Sequence, residues 1–246
     1  MQERESRDPK RVAAMFGRIA NRYDLLNRLL SVRRDRGWRR SAASRLPPEP
    51  SGRVLDLCGG TGDLAIEVAR QRRARTVICC DFAHPMLLLA ATKFTHENLA
   101  DRCSVLEADG LRLPFADGTF DGVTVGFGIR NFADLTAGLR EIHRVLSRRG
   151  RLVVLEFSRP PGRWISRLYG LYLHRVLPRL GDGAGGGGGA YRYLARTIAD
   201  FPDPAVLAGR IREAGFVTCD WTPLTGGIVA VHTGNKMPAA EPVPAP

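Results

Sequence analysis

The sequence predicts an α/β fold built on a mostly parallel sheet, and three observations carry that prediction. From Arg53 onward, strand-like apolar runs alternate with helix-like runs. The first strand leads into a glycine cluster, Asp56-Leu57-Cys58-Gly59-Gly60-Thr61-Gly62-Asp63, after which Leu64, Ile66, Val68 and Ala69 open a helical pattern. The second strand ends on an acid, Asp81, about 20 residues beyond that cluster. Glycines at such a turn let the backbone reverse sharply and approach a ligand, and the helix that follows presents free N–H groups. This arrangement reads as a nucleotide loop with a ribose-binding acid.

The elements follow in order. Residues 9 to 31 carry Val12, Met15, Phe16 and Ile19, then Leu25, Leu26, Leu29 and Leu30, which reads as two short amphipathic helices, with Asn21 or Asp24 capping the second. Five arginines surround Trp38 between Val32 and Arg40, and Pro47 to Gly52 closes this basic arm, residues 1–50. Such a segment suits a membrane surface, or else Trp38 packs on the core. Strands are expected at 53–57, 76–80, 103–106 and 122–125, with helices at 62–71 and 84–94. A further helix starts after Asp134 as N-cap, and the run 151–157 is apolar enough to be a central strand. The alternation breaks over 159–204, a Pro-, Tyr- and Arg-bearing insert that reads as a substrate cap, with a glycine-rich tip at 183–189. A helix at Val206 to Ala214 with Gly215 as C-cap, and strand-like runs 216–218 and 228–232, complete the domain 51–236 as an antiparallel edge. The tail 237–246 reads as disordered.

Composition narrows the function classes. At 246 residues and 44% hydrophobic content, the chain suits one domain with insertions. No apolar run reaches the ~18 residues of a spanning helix and the charged start is unlike a signal peptide, which reads as cytoplasmic. The five cysteines show no C-x-x-C pair, and their strand positions indicate buried reduced thiols, not zinc or disulfides. Of the net charge of +12, residues 1 to 50 contribute 13 basic and 6 acidic side chains, so +7 lies in the first fifth. That asymmetry points to a surface that meets phosphates, nucleic acid or anionic lipid, or to solvated arginines.

A glycine loop with a strand-two acid suits dinucleotides and S-adenosylmethionine alike. Asp56-x-Cys58-x-Gly60-x-Gly62 resembles the first motif of class I methyltransferases, and Asp109-Gly110 after the third strand matches their adenine segment. Further motifs narrow the resemblance: Tyr23 to Ser31 with Trp38 downstream, Gly59 to Asp63, Phe127-Gly128-Ile129-Arg130-Asn131, Arg144 through Ser158, Val176 to Arg179, and Tyr191 to Leu194. Together, from about Val12 to Lys236, they resemble the ubiquinone/menaquinone biosynthesis C-methyltransferase family. The resemblance implies a Rossmann-like, mostly parallel seven-stranded sheet with an antiparallel edge strand, a helical N-terminal arm and a cap insert after strand five. It also implies S-adenosylmethionine as methyl donor, bound by Asp56, Gly59, Gly60, Thr61, Gly62, Asp81, Asp109 and Gly110. The acceptor it implies is a polyprenylated quinol, most specifically demethylmenaquinol, with the methoxy-benzoquinol of ubiquinone biosynthesis left open. Departures from the family pattern are Cys58 for Gly or Ala, Gly126 for Ser, Leu26 for Met, Asp35 for His, Ser147 to Gly150 for Lys-Pro-Gly-Gly, and the glycine run before Tyr191.

Methylating a quinol ring carbon calls for a phenolate. A phenol titrates near pH ~10, and a cation ~4 Å away contributes up to about 4 kcal/mol at an effective dielectric near 20, enough to lower that by roughly two to three units before desolvation opposes it. Arg130, just after strand four, is the candidate catalytic group; a salt bridge to the Asp134 region is the competing reading. Tyr23, Asp24, Asn27, Asn131 and Tyr191 are candidates for shaping the quinol pocket, packing or capping being the alternative for each. His174 is a candidate base or a structural side chain. The sulfonium supplies the leaving group, so no metal is required. An arginine-rich arm would hold the enzyme peripherally on the inner face of the membrane, where a prenylated substrate resides, at roughly 1 kcal/mol per basic residue. The sequence lacks the Asn/Asp-Pro-Pro-aromatic or Pro-Cys signature of nucleic-acid methylases, which argues against a nucleic-acid partner. A non-catalytic S-adenosylmethionine-binding module and a dehydrogenase are the remaining alternatives. Oligomeric state is open, and a homo-oligomer is compatible with the sequence.

Overall fold

The computed structural model describes residues 9–31, 33–47, 51–71, 73–160, 162, 167, 170 and 189–237. Its elements are α1 (Pro9–Leu30), α2 (Asp35–Ala43), β1 (Ser51–Leu57), α3 (Asp63–Arg70), β2 (Ala74–Asp81), α4 (His84–His96), β3 (Cys103–Glu107), β4 (Phe120–Gly126), α5 (Leu135–Val145), β5 (Leu146–Phe157), α6 (Gly189–Ala199), α7 (Pro204–Glu213), β6 (Thr218–Leu224) and β7 (Val229–Asn235). The 183–188 part of the glycine-rich tip, Trp164, Tyr169, Tyr172, His174, the Val176 to Arg179 motif, the side chain of Tyr191 and the tail 238–246 lie outside the described residues.

The seven strands form one sheet in the order β3-β2-β1-β4-β5-β7-β6. β1 to β5 pair in parallel, while β7 runs antiparallel to both β5 and β6. The antiparallel component is therefore a pair at one side of the sheet, with β7 inserted between β5 and the edge strand β6. Sequence order reverses at β1/β4, so the crevice at the carboxyl ends of these neighbours is where a ligand is expected in such a sheet.

Strand alternation sorts the core into two layers. Val54, Val153 and Leu155 face a cluster with Trp38, Leu46, Val68 and Phe94, on the side of α2, α3 and α4. Leu55, Leu152 and Val154 face the other way, onto Leu139, Ile142, Leu207 and Ile211 of α5 and α7. This period of two is what a strand buried on both faces requires.

Several expectations are corrected here. Residues 9–30 form one helix, not two. Asp24 caps nothing: its Oδ1 accepts from Thr61 Oγ1 at 2.7 Å and its Oδ2 pairs with Lys93 Nζ at 2.5 Å, so the helix runs through it. Trp38 belongs to the core, 7% exposed, with Nε1 donating to Thr225 Oγ1 at 2.8 Å. The penultimate strand lies at 218–224, which the expected run 216–218 meets only at Thr218, and the last strand runs 229–235 rather than the expected 228–232. Pro223 within β6 is tolerated because that strand is an edge. Asp134 does cap α5, its Oδ1 accepting from Ala137 N at 2.9 Å. Cys79, Cys80, Cys103 and Cys219 are buried free thiols and Cys58 is half-buried.

Candidate active site

The carboxyl ends of β1 to β4 converge on a cleft of ≈ 390 Å³ lined in part by Cys58, Asp81, Asp109, Gly110, Asn131 and Phe132. The cleft brings together four of the residues singled out in the sequence: Asp81, Asp109, Gly110 and Asn131.

The glycine turn makes its upper edge. Cys58, Gly60 and Gly62 all hold positive φ, at 55°, 54° and 80°. The turn is pinned by Gly59 N donating to Cys80 O at 3.1 Å and Gly62 N donating to Gly59 O at 2.9 Å. Gly62 is the N-cap of α3 and brings no side-chain cap; in the first turn Ala65 N is taken by Asp56 Oδ2, and among the described residues no side chain caps the N–H groups of Asp63 and Leu64, whose positive end is kept for a ligand. A Cβ at Gly59 would overlap the Cys79 sulfur and approach Asp56 Oδ2 at 2.9 Å, so only glycine fits between β1 and β2.

Asp81 fastens the turn from below. Its Oδ2 accepts from Gly60 N and its Oδ1 from Ala83 N, each at 2.9 Å. Burial pushes this carboxyl up, and the backbone donors oppose that shift. Asp109 Oδ1 accepts from Leu111 N at 2.9 Å, which fixes the Asp109-Gly110 turn against Phe132.

Asp56 is turned inward instead. It is fully buried; Oδ1 accepts from Thr124 Oγ1 at 2.7 Å and Oδ2 from Ala65 N at 3.0 Å, so it ties β1 to β4 and to the first turn of α3. Burial pushes its pKa up to about 7. A carboxyl raised on folding favours the protonated form, so Asp56 costs nothing below pH ~4, and its cost grows as pH rises to ~7, approaching about 4 kcal/mol above that. In Asp56→Asn the amide can donate to Thr124 and accept from Ala65 without that charge. The melting temperature of the ligand-free variant, relative to the parent, should therefore climb between pH 5 and pH 7 by calorimetry and level off above; a difference independent of pH would show that Asp56 is not the titrating group.

Thr61 is also occupied, 3% exposed and bonded to Asp24 of α1. Lys93 pairs with Asp24 and, at 2.6 Å, with Asp63; Arg39 reaches Asp63 at 3.7 Å and Asp35 at 2.5 Å. These charges clasp α1 and α2 onto the glycine turn. Tyr23 packs edge-on against Phe16 with centroids 5.9 Å apart and bonds Asn27. Burial pushes its phenol up, and the positive charge of Arg130 is the largest opposing influence.

Arg130 lies in a 3₁₀ turn, Ile129–Asn131, directly beyond β4 and is 4% exposed. Its partner is not in the Asp134 region. Nη1 donates to Glu156 Oε1 at 2.8 Å and to the carbonyl of Phe127, and the guanidinium sits 5.5 Å from the Phe157 ring centroid. The Phe127 and Phe157 rings pack at a tilt of 39° with centroids 4.6 Å apart, and Trp38 lies beside them. Asn131 Oδ1 accepts from Tyr193 of α6 at 3.0 Å. Glu156, at 1% exposure, is the residue that sequence reasoning missed. Its signal was an acid inside an apolar strand. Gly126, where the family pattern has serine, leaves a Cβ only 3.0 Å from Leu64 Cδ2. Among the described residues no group of His, Cys, Asp and Glu is arranged to hold a metal ion.

Comparison with known proteins gives the family and the fold. The ubiE/COQ5 methyltransferase family matches residues 3–236. A protein of Thermus thermophilus named demethylmenaquinone methyltransferase is 47% identical over 222 residues, covering 90% of this chain and 100% of that relative. A ubiquinone/menaquinone biosynthesis C-methyltransferase of Citrifermentans bemidjiense is 43% identical, covering 92% and 97%. The crystal structure of a Thermotoga maritima S-adenosylmethionine-dependent methyltransferase, a possible histamine N-methyltransferase, superposes with a TM-score of 0.64 at 18% identity, over 91% of this chain and 99% of that one. That likeness concerns the fold. The chain thus belongs to the ubiE/COQ5 methyltransferase family, and it is an S-adenosylmethionine-dependent methyltransferase.

Proposed function

We propose that this enzyme transfers the methyl group of S-adenosylmethionine to a ring carbon of a polyprenylated quinol, most specifically demethylmenaquinol, at the membrane surface. The observation that carries the reading is the buried Arg130 beside the packed Phe127 and Phe157 rings, one residue before Asn131, which lines the Asp81–Asp109 cleft. A planar aromatic acceptor with an ionisable hydroxyl suits that floor, and the names of the relatives agree. On this reading Asp81 takes the ribose hydroxyls, Asp109 with Gly110 takes the adenine edge, and the start of α3 takes the amino-acid carboxylate. The methyl donor supplies the electrophile and a neutral leaving group when bound. The residues align the ring with it and stabilise the phenolate, and Tyr23 and Asn131 border the acceptor side.

Among the described residues no helix is long and apolar enough to cross a membrane. Surface attachment is supported by Arg33, Arg34, Arg36 and Arg40, all exposed, and by Leu25 of α1 at 59% exposure. The test is purified enzyme with labelled S-adenosylmethionine and reduced demethylmenaquinone in liposomes. Label should enter the quinol at least about tenfold faster with anionic than with neutral vesicles, and added salt should erase the difference, since about 1 kcal/mol per basic residue is at stake. Equal rates on both vesicles would dismiss the surface role, and an unlabelled quinol would dismiss the acceptor.

A further inference from the structure

We propose that Glu156 is a positioning residue for the acceptor chemistry, holding one end of the Arg130 guanidinium so that the remainder of that side chain meets the ring oxygen of the acceptor. This rests on the reading given under Proposed function.

Three observations carry it. The first is placement. Glu156 is the penultimate residue of β5, at the carboxyl edge of the sheet, in a strand whose residues 152 to 156 are all buried. A carboxylate there must be desolvated along with its partner, and replacing such a pair by apolar residues is often neutral or favourable for stability. A fold that keeps the pair at the ligand edge has a use for it beyond packing.

The second is how firmly the pair is held. Glu156 Oε1 also accepts from Phe157 N at 2.8 Å, so the carboxylate is anchored by its own strand. Arg130 Nη1 spends its donors on Glu156 and on the Phe127 carbonyl, and Phe157 backs the cation. The guanidinium thus has one fixed corner. Its Nε is buried and finds no acceptor among the described residues. A buried donor left unpaired is costly and rare, so its presence one residue before Asn131, which lines the cleft, marks a place for an acceptor atom.

The third is the neighbourhood. The turn bearing Arg130 touches the cofactor side, since a Cβ at Gly128 would run into the Cys58 side chain. The next residue, Asn131, lines the cleft. Arg130 therefore lies between the apolar aromatic floor and the cofactor cleft, where a phenolic oxygen would fall. Glu156 itself is 1% exposed and bonded to the guanidinium, so it acts through Arg130.

The test compares Glu156→Asp, Glu156→Gln, Arg130→Lys and the double variant Glu156→Asp/Arg130→Lys with the parent enzyme, on labelled S-adenosylmethionine and reduced demethylmenaquinone in liposomes. Melting temperature and cofactor dissociation constant are measured on each. Glu156→Asp keeps the charge but withdraws it by one methylene, and it should lower kcat roughly 10- to 100-fold, less than removing an oxyanion donor outright. Cofactor affinity should stay within about twofold, which a merely structural role would not guarantee. The double variant should be no slower than Arg130→Lys alone, because the group through which Glu156 acts is already changed. Full kcat in Glu156→Asp, or losses that multiply in the double variant, overturns the proposal. Glu156→Gln that folds with parental kcat overturns it as well. A parent enzyme that leaves demethylmenaquinol unlabelled but methylates another phenol overturns the quinol reading alone, and the same coupling is then read on that phenol.

Discussion

Asp81→Ala should raise the dissociation constant for S-adenosylmethionine by roughly 100- to 1,000-fold, measured by titration calorimetry. The side chain has two tasks. Its oxygens accept from Gly60 N and Ala83 N at 2.9 Å each, which shapes the glycine turn, and it lines the cleft where a ribose would lie. A hydrogen bond to a charged group contributes about 1.5–3 kcal/mol, so losing the ligand contact together with a loosened turn amounts to about 3–4 kcal/mol. Asp81→Asn should fall nearly as far, since one amide N–H would then face a backbone N–H. Asp109→Ala serves as the comparison. Among the described residues the Asp109 carboxylate accepts from Leu111 N alone, at 2.9 Å, and its loss should cost about tenfold. If Asp81→Ala binds within about fivefold of the parent, the ribose assignment is wrong and the acid serves the turn alone.

The sheet was readable because its signals are local. Each of β1, β2, β4 and β5 buries both faces, so each appears as a largely apolar run, and the glycine turn follows from Gly60 and Gly62, two alternate positions that need positive φ. β6 was only partly readable, since an edge strand buries little: Cys219 is its one buried residue, Trp221 is 42% exposed, and Pro223 argues against a strand. The arm was misread for the opposite reason. Asp24 looks like a cap in sequence, but its partners Thr61 and Lys93 are distant in the chain, and tertiary charge pairing overrides the capping preference.

The site divides in the same way. Asp81, Asp109 and Gly110 follow from strand ends, which the apolar runs mark. Asp56 and Thr61 sit in the same motif but spend their side chains inside the protein, on Thr124 and Ala65 and on Asp24, so motif membership says nothing about which way a group points. Glu156 pairs with a residue 26 positions away in a neighbouring element, and only the β4·β5 register brings Arg130 over it.

Gly128→Ala should be the most damaging single-methyl change in the acceptor turn, and Cys58→Gly should repair it. A Cβ on Gly128 would collide with the Cys58 side chain, running into its Cβ and lying 3.0 Å from its sulfur. Cys58 and Phe127 already hold φ of 55° and 58°, so the two turns that meet here carry left-handed backbone in residues other than glycine. Neither can yield by rotating further. Overpacking against a fixed side chain costs up to about 3 kcal/mol, a fall in melting temperature of up to roughly 6–12 °C for a chain of this size. Because Arg130 and the glycine turn move apart together, cofactor affinity and kcat should fall in the same variant. Removing the Cys58 side chain takes away the atoms that clash and relieves about 1–2 kcal/mol of left-handed strain. Cys58→Gly alone should therefore be neutral or stabilising, and Gly128→Ala/Cys58→Gly should recover most of the lost melting temperature and cofactor affinity. Losses that merely add in the double variant would mean that the two turns do not communicate through this contact, and that the acceptor and cofactor halves of the site are built independently.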